Sequence, residues 1–305
     1  MKPLVSMEVR KRVLTLRRQH SISHVSKLTG LPVGTVKTIC SRSGVFRDNL
    51  VLRNLFSLPA IQHSETTLPS VPVMPPQQMV TGDNEIDAML WLQQVVMTGQ
   101  ALFIEKALEA AKLIKTPVKE LQERYVKHLV STNQNNQFAS MFAAINFGDL
   151  QHLAERSVKK LLLSNEATAR FGEGLFDETP AEAWCAEVLK GVECGMNDLS
   201  LPDEICRELF SKQTEYVPHT LNDCLHELRF WNDLYWLRDS VDSGPFGSEL
   251  SEQVSARQGY IFWSLSQIRP RSKDESISVL RYLSDNEGMN RNETNDILLN
   301  LIGSV

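Results

Sequence analysis

Residues 22–42 read ISHVSKLTGLPVGTVKTICSR, two short helical stretches separated by a turn. Ser26 is small where the first helix must touch the second, and Gly30 stands where a tight turn needs a backbone able to take positive φ. Pro32 suits the first turn of the next helix, where its missing N–H costs nothing. Val25, Leu28, Leu31, Val36 and Ile39 recur at helical spacing and are expected to form the seam between the two helices. The opposite side of the second helix carries Gly34, Thr35, Lys37, Thr38, Ser41 and Arg42. Hydroxyls reach base edges, while Lys and Arg bind phosphate, so this side is the expected DNA-reading surface of a helix-turn-helix.

Working outward, Ser6 to His20 is a helix with Val9, Val13 and Leu16 inward and a row of arginines outward, among which Arg17 and Arg18 are further expected DNA contacts. After the motif, Val45 to Phe56 supplies Val45, Leu50, Leu52, Leu55 and Phe56 and reads as a fourth helix closing a small domain over residues 1–56. The run GLPVGTVKTICSR resembles the DNA-reading helix-turn-helix of sigma-factor region 4, and the whole segment is similar to the trihelical domains of resolvases and many regulators. That resemblance covers about forty residues. It implies groove reading but not promoter melting, because no promoter-melting domain is recognisable behind the motif.

Charge points the same way. Residues 1–60 hold eleven Lys and Arg against Glu8 and Asp48, a net of +9, and the chain total of −5 leaves −14 for the other 245 residues. A basic head on an acidic body is the electrostatic footprint of phosphate binding, although a solvated basic helix face has the same composition.

Ser57 to Asp83 carries five of the thirteen prolines (Pro59, Pro69, Pro72, Pro75 and Pro76) with little charge. It is expected to be a proline-rich linker, residues 57–83, that lets the head move semi-independently; the rival reading is an extended segment lying across the body. From Asn84 the apolar pattern keeps a helical period, so residues 84–305 are expected to form an α-helical oligomerisation or effector domain in an all-α chain. Expected helices run over 86–115 with a break at Gly99, then 117–131, 138–146, 149–164, 179–194, 202–214, 221–241, 249–268, 274–285 and 292–302. Setting Lys112-Leu113 under Lys27-Leu28 brings Pro117-Val118 under Pro32-Val33. Lys112 to Tyr125 is therefore either a second helix-turn-helix or a helical hairpin of similar wording. Phe138 to Asn146 (FASMFAAIN) with Leu153 to Asn165 (LAERSVKKLLLSN) resembles the helical core of the small subunit of the enterobacterial flagellar master activator, which implies bacterial regulation.

Other chemistry finds little footing. No Cys-x-x-Cys pair, two-histidine helix motif or phosphate-cradling glycine loop occurs, so no metal, cofactor or catalytic residue is expected, and the chain is not expected to be an enzyme. Five cysteines without an export signal or an 18-residue apolar run imply reduced thiols, a cytoplasmic location and no membrane partner. Phe230, Trp231, Tyr235 and Trp236 with Tyr260, Phe262 and Trp263 read as core or as a dimer interface, or else as a ligand cage, and Arg269 and Arg271 as a secondary phosphate contact or a solvated loop. The expected function is a sequence-specific DNA-binding transcriptional regulator of bacterial or mobile-element origin, a homodimer on double-stranded DNA. The alternative is an accessory protein for plasmid or phage replication, recombination or transposition. RNA polymerase or a replication or recombination enzyme would be the respective partner.

Overall fold

Short polar side chains start most of the helices. The Val9 N–H donates to the Ser6 hydroxyl, His24 to Ser21, Val51 and Leu52 to the Asn49 amide oxygen, Ile86 to Asp83, His152 to Asp149 and Val254 to Ser251. Thr179 and Glu182 cap each other reciprocally ahead of Pro180. These acceptors satisfy amides that the first helical turn leaves without partners. The structure is a computed structural model that describes residues 5–62, 72–132, 147–194, 200–242, 250–286 and 288–303, the side chains of Arg18 and Gln19 excepted. Every regular element among the described residues is helical, so the chain is all-α, and none of these helices is long and apolar enough to cross a membrane. The expected helix 138–146 and Pro69 lie outside the described residues.

The α-helices are α1 Met7–Gln19, α2 Ile22–Thr29, α3 Val33–Ser43, α4 Leu50–Leu55, α5 Asn84–Met97, α6 Ala101–Ala111 and α7 Val118–Thr132. They continue with α8 Leu150–Phe171, α9 Pro180–Val188, α10 Asp203–Lys212, α11 Leu221–Val241, α12 Glu252–Gln267, α13 Lys273–Asp285 and α14 Thr294–Ile302. The chain divides into two compact units, one of Met1–Pro59, Phe176–Trp236 and Gly244–Val305, the other of Ala60–Leu175 and Leu237–Ser243. This division cuts across the expected segments 1–56, 57–83 and 84–305.

In the second of these units, α5, α6, α7 and α8 enclose Ile86, Met89, Leu92, Val96, Ile104, Leu121 and Leu150. The break between α5 and α6 falls at Gly99, whose φ of +70° excludes most side chains, and a Cβ there would lie 2.7 Å from the Ser157 carbonyl oxygen. Residues 72–79 of the proline-rich stretch form no regular element, and the stretch is tied down at its described end. The Trp91 indole donates to the Pro75 carbonyl at 2.8 Å, and the Asp87 carboxylate accepts from the Val80, Thr81 and Gly82 amides. Burial works to raise the Asp87 pKa, but these hydrogen bonds outweigh it and hold the carboxyl below its ordinary range.

In the first unit, α9 to α14 build a core from Cys206, Phe210, Leu225, Leu228, Ile261, Leu265, Val279 and Ile297. A fully buried ion pair lies in the same unit. Arg257 donates from Nε and Nη2 to the two Glu227 carboxylate oxygens, each at 2.7 Å, and from Nη2 to the Tyr216 carbonyl at 2.9 Å. Its Nη1 has no hydrogen-bond acceptor among the described residues, but the rings of Phe56, Trp184, Phe210 and Tyr260 stand 4.9–5.3 Å from the guanidinium carbon. Burial works to lower the Arg257 pKa, and the adjacent Glu227 carboxylate raises it beyond its ordinary value, so the guanidinium keeps its proton. Phe230, Trp231, Tyr260 and Phe262 are buried, which places them in the core, whereas Trp236 is exposed.

Residues 48–56 of the amino-terminal segment join this core. The buried Asp223 carboxylate accepts from the Asn49 amide at 3.0 Å and from Arg53 Nε at 2.9 Å. Asn49 Nδ2 donates to the Glu215 and Val217 carbonyls, and Phe56, fully buried, makes edge contacts with Trp184, Phe230 and Trp231. Asp48 accepts from Thr220 and pairs with Arg53 and Arg271, each at 2.9 Å. Helix α4 therefore forms where the sequence suggests one, but its anchoring residues bury in the carboxy-terminal helices rather than closing a free head.

Removing one member of a buried pair strands the other charge, so Glu227→Ala should lower the unfolding free energy in urea by about 3–5 kcal/mol. The double replacement Glu227→Leu with Arg257→Met should cost less than that single change. Asp48 supplies a pH test. Burial works to raise its pKa, yet the Thr220 hydrogen bond and the two arginines hold it below the ordinary value. A depressed carboxyl stabilises above its unfolded pKa of about 3.9 and loses that contribution as pH falls through the folded value. Wild type should thus exceed Asp48→Asn in stability at pH 6, with the gap closing below about pH 4.

Candidate nucleic-acid interface

Helices α1, α2 and α3 pack around Val13, Val25, Val36 and Cys40, all buried. Gly30 ends α2 with φ +67° and ψ +7°, the left-handed geometry that the turn requires. Ser26 contributes more than small size, because its hydroxyl donates to the Leu31 carbonyl at 2.6 Å and pins the turn to α2. Pro32 is the residue just ahead of α3, in extended conformation, rather than within the first turn. The expected seam needs one correction: Val25 and Val36 are buried and Leu31 and Ile39 half-buried, but Leu28 is 46% exposed. Cys40, which the seam did not include, is buried in its place, since position 40 follows Val36 by one full turn on the inward face.

The outward side of α3 gathers the expected residues. Gly34, Lys37, Thr38, Ser41 and Arg42 are exposed and Thr35 is half-buried. Gly34, Lys37, Thr38 and Ser41 follow the i, i+3, i+4, i+7 spacing of one helical stripe, with Arg42 beside it. The Thr38 hydroxyl donates to the Gly34 carbonyl at 2.8 Å, which leaves its oxygen as an outward acceptor and its methyl for apolar contact. Arg47 Nη2 donates to the Ser41 hydroxyl at 3.2 Å and so adds a guanidinium beside the stripe. Sequence spacing missed Arg47 because it lies beyond the end of α3, in a turn closed by its own N–H to the Gly44 carbonyl.

Gly34 is informative. A Cβ built there meets nothing within 4 Å and its φ is not positive, so neither packing nor backbone geometry calls for glycine. Glycine lowers helix stability, and an exposed glycine lets another molecule approach the backbone closely. Arg10, Lys11, Arg12, Lys27, Lys37, Arg42 and Arg47 are all exposed, and none makes an ion pair with the described residues. Elsewhere, Arg53, Arg124, Arg207, Arg257 and Arg271 are paired.

Arg17 is placed differently from the stripe. It is half-buried, donates from Nη1 to the His20 carbonyl at 3.0 Å and lies 5.5 Å over the Phe46 ring. Burial lowers its pKa. The Arg18 side chain lies outside the description. In the Lys112 to Tyr125 segment, Leu121 is buried as Val36 is, but Arg124, at the position of Ile39, is ion-paired with Asp83 and Glu85. Among the described residues no group of three His, Cys, Asp or Glu could hold a metal ion. No family model, curated protein or solved structure matches the chain.

Gly30 and Gly34 should respond oppositely to alanine. Gly30→Ala forces a Cβ into left-handed backbone and should cost about 1–2 kcal/mol. Gly34→Ala should raise stability by up to about 1 kcal/mol. Thermal unfolding followed by circular dichroism reads both signs.

Proposed function

We propose that the chain is a sequence-specific, double-stranded-DNA-binding regulator of transcription whose helix α3 enters the major groove. The observation that carries this reading is the stripe Gly34, Lys37, Thr38, Ser41 and Arg42. It is exposed on the second helix of a pair joined by the left-handed Gly30 turn, in a segment whose seven exposed cations have no carboxylate partner among the described residues. In this reading Thr35, Thr38 and Ser41 contact base edges, while Lys37, Arg42 and Arg47 hold phosphates and set the register. The Gly34 backbone sits where the groove wall approaches the helix. One such helix covers a short half-site, so the reading includes a homodimer. Trp231, Leu234 and Leu237 of α11 are buried within the chain itself.

The experiment is selection of bound sequences from a random duplex library, followed by affinity measurement across salt. Lys37→Ala with Arg42→Ala should reduce the magnitude of the log-affinity against log-salt slope by about two, uniformly across sequences. Thr38→Val should change sequence preference instead. Gly34→Ala should weaken binding although it stabilises the fold, a combination that a purely structural glycine does not produce. An unselective library, or a double variant with unchanged affinity at every salt concentration, overturns the reading.

A further inference from the structure

Two hydroxyls on the outward side of α3 are engaged in opposite senses. Thr38 Oγ1 donates its only proton to the Gly34 carbonyl, so toward a partner it offers lone pairs alone. Ser41 is the reverse case. Its oxygen accepts from Arg47 Nη2 at 3.2 Å, and among the described residues its proton has no acceptor. One lone pair is thereby occupied, and the guanidinium charge beside it repels a second donor while polarising the O–H toward donation. Both residues are exposed. A serine or threonine hydroxyl without such ties rotates to suit whichever group it meets, and so discriminates little between bases. These two do not have that freedom.

Arg47 is held where its bond to Ser41 needs it. Its N–H closes a turn on the Gly44 carbonyl, and the next two residues, Asp48 and Asn49, are fixed by Thr220, Arg271 and Asp223. The polarity of Thr38 is thus set within α3, and that of Ser41 from outside it.

We propose that these fixed polarities set the base preference of α3: Thr38 selects a base that presents an amine, and Ser41, held by Arg47, selects one that presents an acceptor, on neighbouring base pairs. The inference rests on the reading of α3 as a helix in the major groove. There guanine and thymine offer acceptors and no amine, cytosine offers an amine and no acceptor, and adenine offers both. An acceptor-only Thr38 therefore admits adenine or cytosine on the contacted strand and rejects guanine and thymine. A donating Ser41 admits guanine, thymine or adenine and rejects cytosine. Three residues of helix advance about 4.5 Å, near the roughly 3.4 Å between base pairs, so the two contacts fall on adjacent steps. Arg47 acts on this preference through Ser41 and is a positioning residue in addition to its phosphate contact.

The experiment repeats the random-duplex selection with the full chain and its variants, and then measures affinity for the selected site and for single-base changes in it. Wild type should recover a site in which one position is restricted to adenine or cytosine and a neighbouring position excludes cytosine. Thr38→Val keeps the shape and a methyl but loses the acceptor. It should cut the preference at the first of these positions by about two- to tenfold, the range of a single hydrogen bond. Thr38→Ser, which keeps a hydroxyl able to bond back to Gly34, should retain it. Arg47→Ala should admit cytosine at the neighbouring position. Arg42→Ala should lower the salt slope uniformly across sequences, with no such relaxation at one position. Loss of a phosphate contact or of turn stability alone does not produce that difference. A selective wild type whose Thr38→Val variant recovers the same site with the same preference, or whose Arg47→Ala variant still excludes cytosine, overturns this inference and leaves the DNA-binding reading intact. An unselective library overturns both.

Discussion

The Glu227–Arg257 pair is the constraint around which the larger helices are arranged. A fully buried guanidinium tolerates few geometries, because each of its N–H groups must find an acceptor or a π face. Here α11 supplies the carboxylate, the 214–216 turn a carbonyl, and four segments a ring each: Phe56, Trp184, Phe210 and Tyr260. A purely apolar core would permit several near-equivalent packings. A charge that needs six contributors in place at once permits one, at the cost of desolvating two ions.

Phe56 gives that constraint its reach, for it belongs to the amino-terminal segment. Through it, and through Asn49 and Arg53 on Asp223, the residues that follow α3 are welded to a helix about 170 positions later in sequence. Asp48 and Arg271 extend the same joint toward α13. The joint mixes a buried aromatic contact, which is indifferent to salt, with partly exposed ion pairs, which salt and acid weaken.

Much of this fold was legible in the sequence. Cap residues and helical periodicity mark the described helices, although α8 runs seven residues past the expected end at 164 and α9 stops six short of 194, and Gly30 and Gly99 mark turns because only glycine enters the left-handed region cheaply. The outward face of α3 was readable for the same reason, since alternate sides of one helix are fixed by spacing alone. What spacing does not encode is partnership across the chain. Leu28 looks like a seam residue until Cys40 is seen to occupy the core. Nothing in the run SARQGYIFW signals that Arg257 is buried, because its carboxylate lies thirty residues away. Arg17 reads as an outward arginine, yet Phe46 and the His20 carbonyl draw it inward. The proline-rich stretch reads as a linker or as a segment laid across the body, and a hydrogen bond from Trp91 with several to Asp87 holds its described end. Each of these depends on one distant side chain, which leaves no periodic trace.

The joint at Asn49 also fixes a length. Helix α3 ends at Ser43 and the anchored residues begin at Asp48, so only Gly44 to Arg47 lie between them, and the Arg47 N–H to Gly44 carbonyl hydrogen bond folds even those into a turn. A leash of four residues spans at most about 14 Å when fully drawn out, roughly four base-pair steps along a duplex. Proteins that search for half-sites with heads on long flexible tethers accept many spacings between the two. In the proposed reading, a pair of these chains on DNA would have almost no such slack. Centre-to-centre distance and helical phase of the two half-sites would be set by the symmetry of the joined bodies. Inserting even a few base pairs between them would rotate one site around the duplex and out of reach.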